Sequence, residues 1–577
     1  MTKLSLRAWA PALAVALLTP HARAADPAPY QHVLLLSLDG LHDADLTDPA
    51  TGAYLPSLLD IANHGIHYTN TYAVKPTDNF PNMIAQVTGA GPKTSGIYYD
   101  TTYNRAYYPA ATFAGTPPGT TVLWTADIDK DANLLSGGGN ADASSINPIL
   151  LPQVLVNGTL QRVYPHNDLK VNTVFEVAHN AGLRTAYIDK HPSYEIVSGP
   201  SGQGLDDFYG PESDAKAVLV DGILQDATTA PAGVKLKSIS KSIPMSEAYD
   251  DMRVDALVNQ INGKTSAGAP APSAPALFGM SFIAVNTAEK DPTTGGIDNF
   301  GGGNIVNPGL ADAMSHTDAS VNRIVSALKA ANLYDSTLIV LTAKHGQSPR
   351  VGTSVNETPA LVTSTLSNFG INVRQTTDDD VSLVWLNDPA QTASAAADLL
   401  QSRPDIIEKV LTGQALADAI EGNSLIGPND DRAPDLIVQY KPGVLLSSSL
   451  KRSEHGGLSE DDSHIALVLG GALPAALQGT TITDHLLDTQ LAPTMLEALG
   501  LDPTQLQGAV IDGTTPLPNA GLPVPEPTTI ATLAISTLAL LSRRRRRIND
   551  ANSFTPLAHP NPSLSTPPLF PAPQVPS

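Results

Sequence analysis

A chain of 577 residues, 42% of them hydrophobic, is long enough for one large α/β domain with insertions, or for two to three domains, and is too apolar to be a disordered protein. A net charge of -22 and a pI near 4.9 exclude a nucleic-acid backbone binder, because no basic surface exists to release counterions. Cysteine is absent, which excludes disulfides and thiolate metal sites and leaves Asp, Glu and His to hold any metal.

In chain order, Lys3 and Arg7 precede an apolar run, Ala8 to Leu18, and a small-residue exit, Ala22-Arg23-Ala24. That is the pattern of a cleaved secretory signal over 1–24, and the run falls short of the ~20 residues a membrane span needs. Tyr30 to Leu38 is a continuous apolar strand pattern, with Asp39-Gly40 at its carboxyl end. Open α/β sheets place ligand groups there. From Thr71 an extended run reaches Pro76, a polar turn Thr77-Asp78-Asn79 follows, and Phe80-Pro81-Asn82 leads into an apolar helical run, Met83 to Val87, closed by Thr88-Gly89. A sharp polar turn that starts a helix presents one side chain, here Asn79, beside free backbone N–H groups, a natural seat for an anion and a nucleophile. The plainer reading of the same turn is an Asn/Asp helix cap.

Residues 101–170 are rich in Gly, Pro, Thr and Asn and read as an insertion of long loops. Val171 to Ala181 is a helix pattern and Leu183 to Ile188 a strand, with Lys190-His191-Pro192 beyond it. Lys190 and His191 are either a solvated pair or contacts for an anionic substrate. A helix from Met245 to Ile261 and a proline-rich spacer lead to a strand, Ala276 to Val285. A Gly-rich loop, Gly295 to Gly303, precedes a helix from Gly309 to Ala331 that carries Asp312 and His316 at helical metal-pair spacing. The strand Thr337 to Thr342 ends in Ala343-Lys344-His345-Gly346. Residues 354–425, with a strand at Val381 to Leu386 and a helix at Ala390 to Gln401, read as an inserted subdomain. Asp435 to Gln439 is a further buried strand, and His455-Gly456-Gly457 lies in the loop beyond it. His464 reads as a hydrogen-bonded residue entering the strand Ile465 to Leu469.

Four motifs, LLLSLDG at Leu34 to Gly40, the stretch Thr71 to Asp100, TAKHGQS at Thr342 to Ser348 and EHGG at Glu454 to Gly457, occur in a consistent order. Together they resemble the type I phosphodiesterase/nucleotide pyrophosphatase branch of the alkaline phosphatase superfamily, over roughly Tyr30 to Thr515 (domain 30–515). The resemblance implies an α/β three-layer sandwich, a mixed and mostly parallel sheet with helices on both faces. It implies Asp39, His345 and His455 as metal ligands, and divalent metal, commonly zinc, as cofactor. It places Asp312 and His316 on a scaffold helix without a metal role. At the other end, Val524-Pro525-Glu526-Pro527, an apolar run and Arg543 to Arg547 resemble a PEP-CTERM sorting signal over 523–547, ahead of a proline-rich tail, 548–577, that reads as disordered. That resemblance implies a transient inner-membrane anchor, an exosortase as processing partner, and export to the periplasm, outer membrane or extracellular matrix of a Gram-negative bacterium.

Several positions depart from the family pattern. Active members use two metals about 4 Å apart to clamp a phosphoryl group while Thr or Ser attacks. Asn79 stands at the nucleophile position, and an amide is a poor nucleophile. Lys344 replaces a ligand Asp, and a cation there opposes metal binding. The Asp/His pair expected after the strand Ala276 to Val285 meets Asn286, Thr287 and Glu289, so one ion is expected in place of two. Asp100 stands where a phosphate-contacting Asn is usual. With Asn79, Thr77 and Lys344 as the catalytic candidates and Asn82, Asp100, Lys190 and His191 as substrate contacts, two readings stand. One is an exported metal-dependent hydrolase of phosphodiester or related phosphate esters that uses an activated water. The other is a surface binding protein that keeps the fold and has lost catalysis.

Overall fold

The apolar run ahead of Asp39 forms an inner strand of an eight-stranded sheet. The structure, a computed structural model, describes residues 30–520 apart from 113–114, 301–302 and 424–429. The signal pattern at 1–24, the sorting pattern at 523–547 and the tail at 548–577 therefore lie outside the described residues. The sheet's strands are β1 (His32–Leu38), β2 (Ile66–Tyr68), β3 (Thr185–Ile188), β4 (Asp207–Tyr209), β5 (Leu277–Phe282), β6 (Thr337–Thr342), β7 (Leu467–Gly471) and β8 (Thr480–Ile482), in the spatial order β8-β2-β7-β6-β1-β5-β3-β4. β1 is parallel to both β5 and β6, β3 is parallel to β5 and to β4, and β7 runs against its two neighbours.

Strand periodicity divides the core. Val33 and Leu35 of β1 face one apolar cluster, while Leu34, Leu36 and Leu38 face another. Each face therefore needs a helical cover. The first cluster is closed by Asn79–Thr88, Val174–Asn180 and Leu491–Ala498, and the second by Pro56–His64, Ile243–Ile261 and Pro308–Ala330. This is the expected α/β class, a mixed and mostly parallel sheet with helices on both faces.

Two local expectations change. The strand ending at Val285 stops at Phe282, because the N–H groups of Ile283 and Ala284 donate to Asp250 at 3.0 to 3.2 Å and start a helix, Ala284–Lys290. A buried carboxylate from a neighbouring helix thus caps this one and aims its first turn at the site. The Gly-rich stretch from Gly295 forms a hairpin, Ile297–Phe300 with Gly303–Val306.

A smaller antiparallel sheet joins Val373–Asp378, Val381–Leu386, Leu436–Tyr440 and Ile407–Thr412, in that order. Val384 and Leu386 pack with residues of the helices Leu361–Asn368 and Thr392–Ser402, while Leu383 and Trp385 meet Tyr98, Tyr99 and Tyr103. Tyr99 donates to Asp379 at 2.7 Å, and Arg432 donates to Gly96 O at 2.8 Å. These bonds seat the small sheet beside the segment that follows the Asn79 helix.

Candidate active site

The register of the parallel strands decides which side chains meet. Ser37 of β1 pairs with Thr342 of β6, so Asp39 and Lys344, each two residues further on, emerge at the same height. Met280 of β5 pairs with Ile188 of β3, which brings Asp189 beside Ser281, whose hydroxyl donates to it at 2.6 Å. Gly40 makes the turn possible: its φ is +92°, and a Cβ there would come within 2.7 Å of Glu289 Oε2.

Asn79 is the first residue of its helix, behind the cap Asp78, whose carboxylate accepts from Phe80 N at 3.2 Å. Pro81 is tolerated because a first-turn N–H has no intrahelical partner. Gly89 ends the helix in the left-handed conformation, φ +72°. So placed, the Asn79 amide touches three groups. Its Oδ1 accepts from Lys190 Nζ at 2.7 Å and lies 3.1 Å from His345 Nε2, and its Nδ2 lies 3.2 Å from His455 Nε2. The two imidazoles stack with ring centroids 3.7 Å apart. Burial pushes both well below the usual histidine range, and nearby Lys190 and Lys290 push the same way.

Beneath this lies a buried ion cluster. Lys190 Nζ and Lys344 Nζ are each 3.4 Å from the same oxygen, Asp39 Oδ2, and Lys344 also reaches Asp189 at 3.3 Å. Lys344 is fully buried, with its ammonium 4.9 Å from the centre of the Tyr194 ring. Burial and Lys344 hold the Lys190 ammonium below its ordinary value against the pull of Asp39. Asp39 Oδ1 is buried without a hydrogen-bond partner among the described residues.

Above the cluster opens a cavity of about 500 Å³, lined by Asn79, Lys190, His191, Asn286, Lys290 and His455 among others. Asp78 and Asp100 also face it; burial, then Asp78, pushes Asp100 up to about 7. Lys290 stands one helical turn past Asn286 and pairs with Glu454, which also pairs with Lys451. Sequence reasoning passed over Lys290, although its spacing from Asn286 in AVNTAEK puts both on one helix face.

Other expected residues lie differently. Thr77 is buried and its hydroxyl donates to Gly457 O at 3.1 Å, tying the turn to the loop of His455. Asn82 is buried, and its Nδ2 donates to Asp78 O and Pro76 O within the same turn. His191 leans on Glu212 at 2.8 Å. His316 pairs with Asp251, and His464 bonds Thr69 O at 3.0 Å.

Among the described residues, two groups of His and carboxylate side chains lie close enough to share an ion: His42, Asp45 and Glu289, and His191, Glu212 and Asp214. Neither contains Asp39, His345 or His455. With two ammonium groups already on Asp39 Oδ2 and the Asn79 amide between the two imidazoles, a divalent ion does not fit the charges at that place.

Among solved structures, the chain is similar to murine ectonucleotide pyrophosphatase/phosphodiesterase 5, both as determined alone and as an inactive variant in complex with AMP. Each comparison has a TM-score of 0.51 and 14% identity and covers 82% of this chain and 96% of the other. At that identity the likeness establishes the fold. No curated protein sequence matches the chain. The model of the type I phosphodiesterase/nucleotide pyrophosphatase family matches residues 33–459, well over half of the sequence. The chain belongs to that family, which places it, at the level of the family, among phosphodiester hydrolases.

Proposed function

We propose that this chain binds a phosphate ester in the cavity beside Asn79, that lysine ammonium groups stand where its relatives hold metal ions, and that the metal route of hydrolysis is lost. One observation carries the reading: Lys190 bridges Asp39 and Asn79, at 3.4 and 2.7 Å, at the start of a ten-residue helix and at the edge of the cavity. A phosphoryl oxygen entering there meets a charged donor and the positive end of the helix. It meets no oxygen nucleophile at position 79, since the amide forms no alkoxide near neutral pH.

AMP, the ligand of the murine relative, is a suitable probe. Calorimetric titration of chelator-treated protein should show binding that weakens at least about tenfold in Lys190→Met, the loss of one charge-assisted hydrogen bond. Binding that requires added zinc would refute the lysine substitution and favour a one-zinc hydrolase.

A second reading has its own support. Burial and Asp78 raise Asp100 to about 7, the range in which a carboxylate can act as a base at neutral pH. Turnover of bis(p-nitrophenyl) phosphate that disappears in Asp100→Asn would select hydrolysis by activated water. For location, we propose export with processing at both ends, supported by the patterns at 1–24 and 523–547. No helix of the described residues is long and apolar enough to cross a membrane. The intact mass of protein recovered from cells should lack both segments, and full-length chain in the cytoplasm would count against export.

A further inference from the structure

Ser213, His191 and Glu212 form a cluster at the wall of the cavity, apart from the Asn79 and Lys190 site. Ser213 Oγ lies 3.5 Å from His191 Nε2, and Nδ1 of the same ring lies 2.8 and 2.9 Å from the two carboxylate oxygens of Glu212. Ser213 and His191 both line the cavity, while Glu212 is fully buried. The backbone holds this arrangement in place. Ser213 N donates to Lys190 O at 3.0 Å, and the buried Tyr249 hydroxyl reaches both Lys190 O and Pro211 O, so the His191 and Ser213 segments are pinned to one another. A serine facing an imidazole that a buried carboxylate orients is the arrangement of an activated nucleophile, and such pairs are looser in the resting state than during reaction.

We propose that Ser213, His191 and Glu212 form a nucleophilic triad that cleaves neutral acyl esters entering the cavity, an activity separate from phosphate-ester binding at Lys190. The charge around Ser213 selects the class. Glu212 precedes it, and Asp214, which accepts from Ser240 at 2.7 Å, follows it. The cavity's lysines, Lys190, Lys241, Lys290 and Lys451, attract anions, but the two carboxylates beside Ser213 disfavour an anion at the nucleophile itself and tolerate an uncharged carbonyl there.

In the reaction, Ser213 Oγ bonds to the acyl carbon while its proton passes to His191 Nε2, and the carbonyl oxygen takes up the negative charge. The intermediate collapses, the ester C–O bond breaks, and the departing alcohol takes the proton from His191. Water then attacks the seryl ester with His191 again accepting a proton, releasing the carboxylic acid and restoring the serine. Glu212 holds the ring with Nδ1–H toward itself throughout, so that Nε2 faces the serine.

The full chain, treated with EDTA, should be labelled by a fluorophosphonate probe, in which Ser213 Oγ bonds to phosphorus and fluoride leaves. Peptide mass analysis should place the label on Ser213. Ser213→Ala should abolish it. His191→Ala should slow both labelling and p-nitrophenyl butyrate hydrolysis by at least about a hundredfold, the usual contribution of a general base. Glu212→Gln should lower the same rates in protein whose melting curve shows it still folded at the assay temperature, and Glu212→Asp should recover part of them. The proposal is overturned if folded wild-type protein takes no label, if the label maps elsewhere, or if Ser213→Ala is labelled equally. It is also overturned if the wild type binds one zinc per chain that His191→Ala loses while no serine reacts, which would make the cluster a metal site. Labelling reads Ser213 alone, so its failure leaves the AMP titration free to succeed or fail by itself.

Discussion

The imidazoles of His345 and His455 stack with their centroids 3.7 Å apart, and a nitrogen of each faces the single amide of Asn79. Two imidazoles aimed at one point are what a metal would require of its ligands. Here the point is taken by Asn79, and Lys190 and Lys344 bring two amine groups to Asp39 Oδ2. The double variant Lys344→Asp with Asn79→Thr removes one ammonium and adds a carboxylate and a hydroxyl. Zinc content by elemental analysis should rise from near zero toward one per chain. Restoration stays partial because Asn286 and Lys290 are unchanged. Two zinc ions in the wild type as purified would show that Lys344 does not stand in for a metal.

Lys344 should also be costly to remove. Its ammonium is buried against Asp39 and Asp189 at 3.3 to 3.4 Å, and breaking such a cluster leaves uncompensated buried charge. Lys344→Met is expected to lower stability by about 3–5 kcal/mol in urea denaturation. Adding Asp189→Asn should recover part of the loss, since one orphaned charge then disappears. A loss under about 1 kcal/mol would mean that the cluster is solvated and weak.

How far the sequence reached follows from what kind of pattern carries each residue. Asp39 and His345 were legible together because a parallel sheet gathers the carboxyl ends of β1 and β6, whereas Asn79 starts a helix and His455 lies in a loop outside that sheet, and both were carried by the motifs around them. The end of β5 was not legible, because the capping carboxylate, Asp250, comes from a helix more than thirty residues earlier. Lys190 was named, but nothing local pointed to Asn79 as its partner. The pairing of Lys290 with Glu454 and the alignment of Ser213, His191 and Glu212 depend on loop crossings that no periodicity encodes.

The Asp100 carboxyl predicts a pH dependence of definite sign. Its folded pKa, about 7, lies above the ordinary 3.8, so between those values the folded chain keeps a proton that the unfolded chain has lost. Stability should therefore fall as pH rises from about 4 to about 7 through this group. Asp100→Asn removes the titration, and its melting temperature should show a shallower decline over that window than the wild type. An identical slope in both proteins would place Asp100 in water with an ordinary pKa.

Glu454 gives the opposite sign and links stability to binding. Burial pushes its carboxyl up, but Lys290 and Lys451 outweigh burial and hold it at about 2, below the ordinary 4.5. The stabilisation is complete above about pH 4.5 and is lost as pH falls toward 2, an effect of about 3 kcal/mol for a shift of this size. Glu454→Gln should remove most of that stabilisation at pH 7 and should make stability less sensitive to pH between 4.5 and 2. It also frees two ammonium groups that line the cavity. If the cavity takes an anionic ester, AMP should bind the variant more tightly than the wild type, and the gain should shrink with added salt as screening sets in. Unchanged or weaker AMP binding in a folded Glu454→Gln protein would show that Lys290 and Lys451 do not reach the ligand, and the phosphate-ester subsite would then be confined to Lys190.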